Sequence, residues 1–202
     1  MIEHNFSEGK INKCQICNSS NLIEVINIGE QPLANTLLEN LNDDKNKKSF
    51  PINVVRCGDC TLLQIDYIAN QNEVYHPSYP YLPGITKTVD NEQKQLCDYL
   101  MKTLKLNSKD LVVDVGSNDG SLLNHFKNYN VKVVGVEPTD IAKIANKNKI
   151  ETLQLFFNEN CSEKILSTHG PAKLITSTNV FAHMSTLGDV MKGIIKLLSK
   201  DG

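Results

Sequence analysis

The rhythm of apolar and polar positions changes near residue 107. Before about residue 70, the apolar residues come in short runs, "NLIEVINIG", "FPINVV" and "TLLQIDYI". Period-2 alternation of this kind predicts short strands joined by turns. The polar, charged stretch "ENLNDDKNKKSF" between the first two runs reads as a loop. Residues 71–87, "QNEVYHPSYPYLPGITK", hold three prolines and three tyrosines. That composition suits an ordered linker, because the tyrosine rings need a surface to pack on. Residues 88–106 predict a helix with Val89, Leu96, Leu100 and Leu104 near one face.

From Leu111 onward, strand and helix patterns alternate. "LVVDV", "VKVVGVE", "ETLQLFF" and "AKLITST" read as strands. "SLLNHFKNY", "DIAKIANKN", "SEKILSTHG" and "TLGDVMKGIIKLLSKDG" read as the intervening helices. Strand and helix alternating at this spacing predict a parallel sheet with right-handed crossovers. The expected organisation is a β-rich domain over 1–70, a Tyr/Pro linker and helix over 71–106, and an α/β domain over 107–202.

Composition narrows the function classes. With 40% hydrophobic residues in 202, the chain can bury a core. A formal net charge of −2 argues against a general electrostatic grip on nucleic acid. No run of 18 apolar residues predicts a membrane span, and "MIEHNFSEGK" lacks the apolar core of a signal peptide. These features suit a cytoplasmic protein.

In a reducing compartment, two Cys-x-x-Cys units point to metal more than to disulfides. They are Cys14/Cys17 and Cys57/Cys60, with 39 residues between them. A tight turn aims both sulfurs of a pair the same way. Two pairs make a closed tetrahedral zinc site, structural and not catalytic. Gly58 suits the second turn, and Arg56 is placed to offset the thiolate charge. Redox dithiols or free core thiols are the alternative. A zinc-ribbon module binding nucleic acid or protein is a rival function. It would call for basic and aromatic residues around the knuckles, where Lys10, Lys13 and Arg56 are balanced by Glu24, Glu30 and Asp59. Cys97 and Cys161 read as core or semi-buried thiols.

The first strand of the α/β domain ends in "DVGSNDG", residues 114–120. A strand, glycine turn and helix bring backbone N–H groups to a ligand. A dinucleotide loop needs a middle glycine for close approach of the pyrophosphate, and here Asn118 stands in that place. An adenosyl ligand with an amino-acid tail, S-adenosylmethionine, fits better. Asp114, Gly116, Ser117, Asn118 and Gly120 form the expected loop site. Glu137 lies 21 residues after Gly116, where an acid accepts both ribose hydroxyls. Phe156 and Phe157 follow the third strand and are each candidates for the adenine face or for the core. Asn179 lies on the expected ligand-facing loop after the fourth strand.

These residues, in this order, resemble the sugar C-methyltransferases that act on nucleotide-linked deoxysugars. The resemblance runs through Cys14/Cys17, "QPLAN" at 31–35, Cys57/Cys60 with Leu62-Leu63-Gln64, "YPY" at 79–81, "GSNDG" at 116–120 and "NVFAH" at 179–183. It implies an incomplete class I, Rossmann-like methyltransferase sheet behind a small zinc-binding domain. It also implies S-adenosylmethionine and structural zinc as cofactors, and a keto-deoxysugar nucleotide as substrate. The implied chemistry is proton abstraction beside a keto group, followed by methyl transfer to carbon. His183, Tyr81 and Tyr79 are the implied catalytic contacts. The "LPG" after "YPY" departs from the family's usual serines and leaves that contact open. The family's Tyr-x-Glu-His motif, with its general base, lies beyond residue 202. The chain is therefore expected to be an N-terminal fragment, weakly active or inactive alone. A methyltransferase of the same fold with another small substrate, or a zinc-bearing binding module, are the competing readings.

Overall fold

The computed structural model describes residues 7–34, 48–76 and 82–202. Contacts divide the chain into two compact units, Met1–Tyr75 with Ser185–Gly188, and His76–Met184 with Asp189–Gly202.

The first unit contains β1 (Gly9–Lys10), β2 (Leu22–Pro32), β3 (Ser49–Cys57), β4 (Leu63–Ile65), β5 (Tyr67–Ile68) and the short α1 (Gln71–Val74). β1 pairs antiparallel with β5, and a separate antiparallel sheet runs β2-β3-β4. The run "TLLQIDYI" splits into two strands at Asp66. The Asp66 N–H donates to the Asn53 carbonyl, and its carboxylate accepts from Asn53 Nδ2 at 2.9 Å. β2 departs from the expected half-buried alternation: Ile23, Val25, Ile26 and Ile28 are all exposed. Its register against β3 slips twice, between Glu24 and Ile26 and between Asn27 and Gly29. The first slip brings Ile23 and Ile26, opposite Arg56 and Val54, to one face of the ladder, and both are exposed there.

The second unit opens with a 3₁₀ turn, Pro83–Ile85, and α2 (Lys87–Leu104). There follow β6 (Leu111–Val115), α3 (Ser121–Lys127), β7 (Lys132–Val136), α4 (Ile141–Lys147), β8 (Thr152–Leu153), α5 (Glu159–His169), β9 (Leu174–Thr176) and α6 (Leu187–Leu197). The four strands are parallel, in the order β8-β7-β6-β9. Every residue of β6 is buried, because both of its faces are covered. Leu111, Val113 and Val115 join Cys161 and Ile165 of α5 and Val190 and Leu197 of α6. Val112 joins Cys97, Leu122, Leu123, Phe126 and Ala145 of α2, α3 and α4.

Two elements differ from expectation. The third strand is only Thr152–Leu153, since the chain turns at once, with the Leu155 N–H on the Leu153 carbonyl at 2.9 Å. α5 starts early, its first turn capped by the Asn158 side chain, which accepts the Cys161 N–H at 2.9 Å. On α2 the buried centre is Cys97, while Leu104 is 38% exposed.

Candidate cofactor site and metal centre

The two cysteine turns are built alike. The Asn18 N–H bonds back to the Cys14 carbonyl, and the Thr61 N–H to the Cys57 carbonyl. Asn18 and Thr61 both sit at positive φ, 62° and 67°. The Cys14 N–H reaches the Ser19 carbonyl and the Cys57 N–H the Leu62 carbonyl, each at 2.8 Å. The turns bring Sγ of Cys14 to 3.4 Å from Cys60, and Sγ of Cys17 to 3.5 Å from Cys57. All four sulfurs lie within 4.8 Å of one another. Zinc with bonds of about 2.3 Å sets tetrahedral sulfurs about 3.8 Å apart, so the four thiolates fit that ion. The Cys60 N–H at 3.5 Å from Cys57 Sγ draws the Cys57 thiol down to about 6, while its neighbour Cys17 is pushed up to about 12, so without a cation the crowded sulfurs do not all ionise together.

Two residues act differently from their expected parts. Arg56 alternates with Cys57 along β3, so its side chain leaves the sheet on the other face. Gly58 makes room for Asn21: a Cβ there would lie 2.3 Å from Asn21 Nδ2 and displace the side chain that donates to Asp59 at 3.0 Å. Gln64 has a role that the motif alone did not reveal. Its Oε1 accepts the Gln15 N–H at 2.9 Å and its Nε2 donates to the Lys13 carbonyl at 3.2 Å, which clamps the first cysteine turn.

At the C-terminal edge of the parallel sheet, the loop after β6 folds back onto β7. The Gly116 and Ser117 N–H groups donate to the Val136 carbonyl at 2.8 and 3.1 Å. Gly116, Asn118 and Gly120 all have positive φ, at 74°, 50° and 78°. Asn118 therefore takes the left-handed conformation itself, which Asn tolerates better than most residues. A Cβ on Gly116 would lie 2.4 Å from Val180 Cγ2. The loop after β9 thus rests directly on the glycine turn.

Asp114 and Glu137 are the two buried carboxylates of this edge. Thr176 Oγ1 donates to Asp114 at 2.7 Å. Burial pushes the Asp114 carboxyl up to about 7, and the Glu137 charge adds to the rise, against the pull of Thr176. Glu137 Oε1 accepts both the N–H and the hydroxyl of Thr139, at 2.9 and 2.6 Å. Its Oε2 accepts the Asn118 N–H at 3.2 Å. The acid is thereby tied to the glycine loop. Two buried carboxylates at the mouth of a parallel sheet match a ligand with an ammonium group and vicinal hydroxyls.

The remaining predicted residues fall in different environments. Ser117 is buried, with its hydroxyl packed over Gly135. Phe157 is in the core with Val134, Val136 and Cys161, while Phe156 is only half-buried. Asn179 is exposed at φ 55°, and His183 ends the exposed 3₁₀ turn Phe181–His183. Tyr79 and Tyr81 lie outside the described residues. His125 is half-buried, and its Nε2 pairs with Asp90 at 2.9 Å. Thr139 and Thr176, which orient the two acids, were not anticipated. The Glu-x-Thr spacing at 137–139 carried a signal for the first.

Known proteins match this arrangement in both parts. Residues 14–75 match the family described as "Putative zinc binding domain", and residues 89–202 match the family described as "Methyltransferase domain". The C-methyltransferase NovU of Streptomyces niveus is 31% identical over 193 residues, 95% of this chain and 46% of its own length. The chain thus spans about half the length of that relative. A methyltransferase from Anabaena variabilis overlays 56% of this chain and 49% of its own, at 20% identity and a TM-score of 0.47. DesVI of Streptomyces venezuelae overlays 59% and 50%, at 17% identity and 0.46. Among the described residues, no helix is long and apolar enough to cross a membrane.

Proposed function

The chain belongs to the S-adenosylmethionine-dependent methyltransferases with an N-terminal zinc-binding domain, and from that premise we propose that it serves C-methylation of a nucleotide-linked keto-deoxysugar. The observation that carries the reading is the likeness to a C-methyltransferase along 95% of this chain, through both domains. The bound cofactor supplies an electrophilic methyl group. Asp114 faces the cofactor's ammonium group. Glu137, oriented by Thr139, takes the ribose hydroxyls. Phe156 offers a ring to the adenine. Four thiolates hold a structural zinc and leave it no open position for chemistry.

Methylation at carbon requires loss of a proton beside a carbonyl, and the resulting oxyanion must be stabilised where it forms. His183, on the loop resting over the glycine turn, hydrogen-bonds the keto oxygen. Tyr81 and Tyr79 contact the sugar. The test supplies methyl-labelled S-adenosylmethionine with a panel of nucleotide-linked keto-deoxysugars. The expected result is slow labelling of a sugar carbon, in keeping with the weak activity expected of these 202 residues alone, and a rate that falls about 100-fold further in His183→Ala. Label that enters a different small molecule and never a sugar overturns the substrate. Cofactor that fails to bind at all favours a zinc-bearing binding module.

A further inference from the structure

Asp119 lies in the glycine loop, yet its carboxylate is turned away from Asp114 and Glu137 toward a different segment. Its Oδ2 accepts the Gly84 N–H at 3.0 Å, and its Oδ1 accepts the Ser121 N–H at 3.1 Å. Its own N–H donates to Asn118 Oδ1 at 2.9 Å. One residue therefore joins three things: its backbone N–H holds the left-handed Asn118, and its carboxylate holds the first residue of α3 and the turn Pro83–Ile85 that leads into α2. The fit at the far end is close. A Cβ on Gly84 would stand 2.4 Å from Asp119 Oδ2 and 3.3 Å from Ser121 Cβ. Gly84 has no positive φ, so its lack of a side chain serves the contact and not the backbone angle. Among the described residues, the turn has few other ties. Thr86 makes no side-chain cap to α2, Pro83 alone is buried, and Ile85 is 78% exposed.

We propose that Asp119 is a positioning residue that couples occupancy of the cofactor loop to order in the turn Pro83–Ile85. The loop residues around Asp119 answer to the cofactor through Glu137, which accepts the Asn118 N–H at 3.2 Å. A ligand that engages Glu137 or fixes the glycine loop also fixes Asn118, and with it the carboxylate that holds Gly84. A hydrogen bond to an ionised acceptor is strong enough to transmit that order. The turn is then set before α2 by the cofactor, at the ligand edge of the sheet, where an acceptor substrate has to approach.

Amide exchange read by mass spectrometry tests this, with S-adenosylhomocysteine as the probe and calorimetry to measure its affinity. In the wild-type chain, the product is expected to slow exchange in residues 82–86 by about tenfold, the scale of one charge-assisted hydrogen bond. Asp119→Ala is expected to bind the product and lose that protection. Asp119→Asn, which keeps an acceptor oxygen, is expected to restore part of it. Gly84→Ala is expected to lose the protection too, and to add nothing in the Asp119→Ala background. Three results would overturn the proposal: no protection in the wild type, protection retained in Asp119→Ala, or no product binding by Asp119→Ala, which would place Asp119 in binding itself.

Discussion

Among its described residues, the first unit buries few apolar side chains, Ile11, Phe50, Val55 and Ile68 among them, together with two of its four ligand cysteines. The second buries two clusters, one on each side of β6. Both contain sheets, but among the described residues only the second covers a sheet on two faces. In the first, the apolar residues of β2 face outward. A unit with so little core needs a crosslink, and four thiolates converging within 4.8 Å provide it through metal. The second unit needs no metal, and its sheet edge is free to hold two buried acids.

Metal removal would separate the two most sharply. Chelation, or Cys57→Ser, is expected to cost the first unit the metal's binding free energy, about 10–16 kcal/mol at neutral pH. Amide protection across β2 and β3 should vanish while that of β6 and β7 persists. Simultaneous melting of both units would break the comparison.

A cut into the second core comes next. Phe126→Ala empties a fully buried site of α3 and is expected to cost about 3–5 kcal/mol. Thermal unfolding should fall for the second unit, with the zinc content unchanged.

The smallest expected change in stability has the opposite sign. Asp114 ionises near 7 in the folded chain and near the ordinary carboxylate value when unfolded. Between those values, the folded state holds the extra proton, so its stability falls as pH rises from about 4 to about 7. Asp114→Asn removes that dependence and is expected to raise stability at pH 8 by about 2 kcal/mol, less than the full shift because the amide brings a donor of its own. Cofactor affinity should fall in the same variant. A denaturation series at pH 5 and pH 8 reads the first effect, and calorimetry the second. Equal stability of the two forms at pH 8 would show that Asp114 carries no burial penalty.

Local chemistry was legible in the chain. The cysteine spacing, the glycine turn after "LVVDV", and Glu137 at its distance along the sequence all depend on residues close to one another or on a fixed crossover length. The parallel sheet was legible for the same reason, since strand and helix periods repeat along the chain. Other features needed the folded molecule. β2 carries two register slips and an exposed apolar run, and nothing in "LIEVINIG" announces either. The turn at Leu155 ended the third strand, the cap at Asn158 set the start of α5, and packing against Val134 and Cys161 drew Phe157 inside. Gln64 clamps a turn 51 residues away, and Asp119 reaches Gly84 across 35. The sequence by itself determined which atoms can bind metal and cofactor, because that capacity belongs to the side chain. Only the tertiary structure decided which partners orient them, because those contacts join residues whose distance along the chain says nothing about their distance in space.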